Sequence, residues 1–296
     1  MPSKPKSDEH KRTAEMPHTG WGPCLSTAWV FMKRDWASWR YFFVGFLFDI
    51  ISWITVTLSV LLAAWYIAPG ANARIPEYGG NFVAFVLFGH VVGAYFGATL
   101  NVPFNAISYG YFSGTLEIYM LSPMGLKAFL IEQYAWGYLM ATINQIIAFF
   151  IGFTFFGITL PNANFLPAFT VLAVAMLPAF GLGLIGASTF SLLNCKGYSP
   201  VTWINRLLST IFSGEYFPVS VLPAAMQVFS FLIPQTYLMR SFRLALLGGQ
   251  GFENPVIVQD IFILAIFAVI LIFIGYHLFK LSIRKAEKDG SLSVWK

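Results

Sequence analysis

The chain has 296 residues, 57% of them apolar and only 10% charged, with a formal net charge of +5. That composition excludes an ordinary water-soluble globular domain, because there are too few polar side chains to cover its surface. It indicates an integral membrane protein, and alternating β-barrel patterning is absent, so the spanning segments are expected to be helices.

Residues 1–24 read as a basic cytosolic tail: Met1 to Gly20 is polar and mixed in charge, with no apolar core of a secretory leader. From Leu25 a stripe begins, with Leu25, Trp29, Met32, Trp36 and Trp39 spaced by 4, 3, 4 and 3 residues and Lys33, Arg34 and Arg40 off it. Residues 25–40 are therefore expected to form an amphipathic interfacial helix, with tryptophans in the headgroup zone and cations toward lipid phosphates. A stripe packed on another protein segment is the alternative.

The first span is expected over Tyr41 to Ile67, interrupted only by Asp49. A carboxylate at depth faces a bundle interior or a wet cavity, or else it reaches the interface or pairs with Arg40. Pro69-Gly70 and Pro76 mark a turn, and the second span follows, roughly Phe82 to Leu100, with His90 and the pair Gly93/Gly97. Gly114 to Met124, G-T-L-E-I-Y-M-L-S-P-M, then interrupts two long uncharged runs with a single carboxylate, Glu117. Those runs, Tyr78 to Leu116 and Gln133 to Cys195, hold 39 and 63 residues, where one helical crossing needs about 20. Ser122-Pro123 reads as a helix cap followed by proline at the first helical position, so a short helix over Leu116–Leu121 is separated from the next.

The third span, about Tyr134 to Leu160, carries Asn144 and Gln145 at mid-helix, which serve either interhelical hydrogen bonding or a pathway. The fourth runs from Phe165 to Leu193, with Pro178 and the glycines Gly181, Gly183 and Gly186. Ser199-Pro200 repeats the cap-and-proline device ahead of a fifth apolar segment, Val201 to Phe217, short for a crossing. After Pro218 and Pro223 come two half-length pieces, Ala224 to Ile233 and Thr236 to Leu247, which suggest a re-entrant pair. The last span is Ile261 to Phe279.

Six crossings with both termini inside place 15 of the 18 Lys and Arg on the inner side, leaving Arg74, Arg240 and Arg243 outside, as the distribution of cations in membrane proteins requires. No Gly-x-x-x-x-Gly-Lys-Ser/Thr loop occurs, so hydrolysis of a nucleotide is expected elsewhere. His10, His18, His90 and His277 stand in no metal-binding spacing, and no intramembrane hydrolase constellation is evident. Leu246-Leu-Gly-Gly-Gln250 lacks the serine of an ATPase signature and falls on the expected outer face. Cys24 and Cys195 are too few and too far apart for a metal site.

Two stretches carry a resemblance. The loop G-T-L-E-I-Y-M-L-S-P-M at Gly114 resembles the G-T-L-E-x-L-L-x-x-P segment of type-2 ABC exporter permeases. Gly214-Glu-Tyr-Phe-Pro-Val-Ser-Val-Leu-Pro223, with Ile233-Pro-Gln-Thr-Tyr237 and Arg243, resembles that family's F-P-x-x-x-L-P … P-x-T-Y … R block before the last helix. With the N-terminal amphipathic helix and six crossings, the likeness spans Leu25 to Leu281.

The resemblance implies an all-α integral membrane protein: six transmembrane helices, an N-terminal interfacial helix and an external re-entrant helical pair before the last span. The permease domain would cover residues 41–281 and a second basic cytosolic tail 282–296. It implies a permease in the cell (plasma or inner) membrane, with no catalytic residues, cofactor or metal of its own, ATP and magnesium being bound by two copies of a partner ABC ATPase. A second permease copy, as a homodimer, and membrane lipid are the other expected partners; nucleic acid is not. Gly114, Thr115, Leu116, Glu117, Leu121 and Pro123 would form the loop that couples to the ATPase. Asp49, Asn144, Gln145, Glu215, Phe217 and Pro218 are candidates for the pathway or its gate, and Glu215 could instead pair with Arg240 or Arg243. The expected cargo is a drug-like or lipid-like amphiphile; polysaccharide or glycolipid export and secondary transport are the alternatives.

Overall fold

The computed structural model describes residues 26, 28–34, 36–37, 43–121 and 125–289. Residues 28–34 and 36–37 are helical, in the stretch where the tryptophan stripe predicts the interfacial helix. Nine helices follow, which we number α1 (Phe43–Ala71), α2 (Phe82–Phe112), α3 (Leu116–Leu121), α4 (Gly125–Phe155), α5 (Phe165–Leu192), α6 (Pro200–Phe212), α7 (Ala224–Ser230), α8 (Pro234–Leu246) and α9 (Pro255–Lys288). No strand occurs among the described residues.

Among the described residues, five helices, α1, α2, α4, α5 and α9, are long and apolar enough to cross a membrane. Helix α5 matches its predicted span within one residue, α4 stops at Phe155, and α1, α2 and α9 run past the predicted ends of their spans. Pro69 lies inside α1 near its end and Pro103 inside α2. Helix α4 begins ahead of its predicted start and takes in Lys127 and Glu132, and α9 continues past residue 281 to Lys288. The fifth apolar segment differs more. Helix α6 stops at Phe212, and 13 residues reach only about 20 Å, short of a bilayer core about 30 Å thick. Gly214, at φ +79°, takes the left-handed conformation that ends a helix.

Helix caps follow the residue chemistry. Asn81 accepts from the Ala84 N–H (3.0 Å), Ser199 from Thr202 (3.3 Å) and Asn254 from Val256 (2.8 Å), and the last two precede a proline at the first helical position.

Helix α2 is the central element: 67% of its most apolar stretch is buried, against 11% for α1. Helix α1 buries a single stripe, Thr57, Leu61, Ala64 and Ala68, and is apolar on its remaining faces, as a lipid-facing helix is. Glycines bring α5 and α9 into backbone contact. A Cβ on Gly181 would lie 2.6 Å from the Leu271 carbonyl carbon, and one on Gly275 2.6 Å from the Gly181 oxygen. Where lipid is as apolar as the side chains, such close approach is a main source of helix association.

Two ends of the bundle are distinct. At one, the Asn164 N–H donates to the Ala245 oxygen (3.0 Å), and Gly79 lies against the Leu247 carbonyl. At the other, Lys196 Nζ donates to the Tyr111 hydroxyl (2.6 Å) and Lys285 Nζ to the Leu192 oxygen (3.2 Å). Helix α6 starts at the second end and the chain reaches the first by Leu247. Between them α7 folds back, its Phe229 ring 5.8 Å from Phe212. Helix α8 then leaves from the same level, where Thr236 Oγ1 donates to the Phe212 oxygen (3.5 Å), and its residues from Pro234 to Met239 are all buried.

Gly181→Ala is expected to lower stability by about 1–3 kcal/mol, because its methyl meets backbone that cannot yield. Gly45→Ala, on a face of α1 with nothing within 4 Å, is expected to be neutral or to stabilise by up to about 1 kcal/mol. Thermal unfolding of both variants in detergent checks the contrast.

Candidate functional site

One face of α2 carries Gly89, Gly93, Gly97, Asn101 and Asn105, each four residues from the next, so a groove runs along the helix. Helix α6 lies across from it. Between them is a cleft of about 670 Å³, open to the outside of the chain and lined by His90, Asn101, Trp203, Arg206, Glu215 and Gln235 among others.

The head of the cleft is built by a buried guanidinium. Arg243 is 2% exposed; its Nε donates to the Phe85 oxygen (2.9 Å), Nη1 to the Gly214 oxygen (2.5 Å) and Nη2 to the Glu215 oxygen (2.5 Å). It lies 3.6 Å from the centre of the Phe85 ring, within cation–π range. Two carbonyls just past the end of α6, and one on α2, thus receive donors that a membrane cannot supply. Glycine at 89 makes this possible: a Cβ there would sit 1.9 Å from Arg243 Nη2 and 2.2 Å from the Glu215 oxygen. One turn on, the Glu215 carboxylate lies across Gly93, with oxygens 3.0 and 3.4 Å from where a Cβ would be. At Gly97 a Cβ would have nothing within 4 Å, so the groove is open there.

The structure thus decides what Glu215 pairs with. Arg240 pairs with Asp260, engaging it through both Nε (3.0 Å) and Nη2, and Ser241 Oγ donates to the same carboxylate at 2.5 Å. Arg243 holds the main-chain oxygen of Glu215, not its carboxylate, and Glu215 forms no ion pair among the described residues. Outside the spanning helices, burial raises the Tyr78 phenol above its ordinary pKa, against the pull of Arg243, so it stays neutral at the bundle's end.

The other candidate residues scatter. Pro218 lines a separate cavity of about 290 Å³ with Tyr78, Arg240 and Arg243. Phe217 is half-buried beside it in sequence and Asp49 is exposed on α1. Asn144 and Gln145 lie on α4, away from the cleft lining, and Asn144 Oδ1 and both Gln145 amide atoms are buried with no hydrogen-bond partner. Sequence reasoning missed Gly89, Asp260 and the clasp that Arg243 makes. Asp260 carried a signal in being the only acid in the first 30 residues of α9.

At the opposite end the predicted coupling loop is a packed unit. Gly114 is left-handed (φ +68°) and the Thr115 N–H donates to the Gly110 oxygen (2.9 Å). Leu116 is buried in one cluster with Phe104, Ile107, Tyr111 and Phe190. Glu117 and Leu121 lie on α3, while Ser122 and Pro123 are outside the described residues. Tyr119 stacks on Phe129 at 4.2 Å and accepts from Arg34 Nη1 at 2.5 Å, which ties residues 28–34 to α3.

Compared with models of known protein families and with curated proteins, the chain matches none.

Arg243→Gln is expected to cost about 3 kcal/mol, since it strips donors from buried carbonyls. Gly89→Ala should reproduce the loss by displacing the same guanidinium. Melting temperature and the yield of monodisperse protein measure both. Gly93→Ala, which meets only a side chain, should cost less.

Proposed function

We propose that this chain is the permease subunit of an ATP-driven exporter of the type-2 ABC class, working as a dimer with two copies of a separate ATPase. One observation carries the reading. Helix α2 runs without an intervening loop over 31 residues, with Pro103 inside it; its first half bears the glycine groove of the cleft and its last turns pack α3. Motion delivered to α3 from outside the bilayer therefore reaches the cleft through one continuous helix, in which Pro103 marks the point of easiest bending. The absence of a phosphate-cradling loop from the sequence fits hydrolysis in a partner.

In this reading the five long helices are crossings, and α6 with the chain beyond it makes a sixth, so both termini face the cytosol of a cell membrane. Helices α7 and α8 form the external re-entrant pair. Their broken backbone is tolerated because Arg243 and its neighbours satisfy it. The end bearing α3, Lys196 and Lys285 is cytosolic, in keeping with its cations. The cleft between α2 and α6 is the protomer's half of the pathway, with Glu215 at its outer head, and its cargo is an amphiphile. ATP binding closes the partner subunits, and that closure favours one of two arrangements of α2 against α6.

The exposed Ile118 beside Glu117 suits a short helix docking into a groove of a soluble partner. Glu117→Arg is expected to leave membrane insertion intact and to reduce ATPase co-purification and ATP-driven transport in proteoliposomes about tenfold. Unchanged co-purification and transport would refute the docking role. Uphill transport by the purified chain alone, on an ion gradient, would refute the whole reading.

A further inference from the structure

Arg206 and Glu215 both line the α2–α6 cleft, and neither forms an ion pair among the described residues. Arg206 is exposed on the cleft; Glu215 and its neighbour Tyr216 are half-buried there. Opposite charges facing one cavity inside a membrane protein are costly unless something bridges them. The same cleft is lined by hydrogen-bonding side chains, Asn101, Asn205 and Gln235, and by His90. Trp203 and Tyr198 are exposed on the same cleft, and aromatic faces attract organic ammonium groups. Beside Arg206, α6 presents Ile204, Leu207, Leu208 and Ile211, all exposed, an apolar track that suits an acyl chain.

From this juxtaposition we propose that the cleft binds a zwitterionic headgroup, its ammonium meeting the Glu215 carboxylate and its phosphate meeting the Arg206 guanidinium. The inference rests on the export reading above, since it names the cargo chemistry of the same cleft. Phosphate suits a guanidinium because two parallel N–H donors match two of its oxygens. The ammonium suits a site holding one carboxylate, hydroxyls and aromatic faces. An anionic lipid would satisfy Arg206 and leave Glu215 repelled.

The test uses the delipidated full-length protein, titrated with phosphatidylethanolamine or phosphatidylglycerol and read by native mass spectrometry. Wild type is expected to retain the zwitterionic lipid about tenfold more tightly than the anionic one, and Glu215→Gln and Arg206→Gln each to abolish that preference. Equal retention of the two lipids, or a preference that survives both substitutions, overturns the proposal. So does a melting temperature lowered by Arg206→Glu and by Glu215→Arg singly and restored by the two together, which would mean that the side chains pair with each other. Free phosphoethanolamine serves as competitor: displacement at equal concentration assigns a soluble zwitterion and failure to displace assigns the lipid, either result upholding the headgroup chemistry. Because retention needs no ATPase, selective binding without ATP-driven transport would sink the export reading alone. ATP-driven transport without selective binding would sink this site alone.

Discussion

A broken helix inside a membrane leaves carbonyls and N–H groups that no solvent can satisfy, and each such group costs several kcal/mol. On the reading that α7 and α8 are a re-entrant pair, the chain breaks its backbone in this way between Phe212 and Pro234, where α6 ends, the chain turns and α7 folds back. Arg243 answers the need with one side chain, donating from three nitrogens to carbonyls on two segments. Its charge is not neutralised by a carboxylate. Three carbonyl dipoles, two of them just past the end of α6, stand in for one, since a helix end concentrates partial negative charge. Remove the guanidinium and the break, the return of α7 and the position of Glu215 lose their common support.

That clasp also explains why α2 has glycine where it does. The guanidinium can reach Gly214 and Glu215 only by crossing the surface of α2, and any side chain at 89 would occupy its path. Below this crossing α2 is tied to α4 by hydroxyls: Tyr95 with Thr142 (3.0 Å), Thr99 with Tyr138 (2.7 Å) and Tyr134 with the Thr99 oxygen (3.2 Å). The α2–α4 contact is thus stitched, whereas the α2–α6 contact opens into a cleft. Relative motion costs least where polar bonds are fewest, so on the export reading the α2–α6 boundary is where the joint belongs. Helix α3, held by Leu116 and by the Tyr119–Phe129 stack, is packed with the stitched pair.

Much of this was legible in the sequence, and the limits of that reading are physical. Hydropathy located the five long helices because lipid imposes a length and a composition on them. Ser199-Pro200 announced α6 correctly because a cap and a proline act locally. The end of α1 was misread at Pro69, which lies within the helix, where a membrane gives the backbone no better partner than itself. The extent of α6 was misread for the converse reason. The segment was carried on to Phe217, but conformation is set by Gly214. Glu215 was singled out as a pathway or gate candidate beside the broken helix, yet its surroundings depend on Gly89, Gly93 and Arg243, which meet only through tertiary packing. Pairing across 28 residues leaves no periodic trace.

The two pairs of opposite charges in this part of the molecule show how differently charge can be used. Arg240 and Asp260 meet through two guanidinium nitrogens with a serine donor added, and Asp260 is fully buried. Such an arrangement recovers the desolvation of both ions and holds α8 to α9 in one register. Arg206 and Glu215 are also close enough to influence each other, yet they are not joined. If stability alone had shaped this region, side chains as long as these would have met or been replaced by apolar ones, because unmet charge inside a bilayer lowers stability with nothing in return. On the proposal of a bound zwitterion, their separation across an open cleft leaves each charge free for the ligand's opposite one.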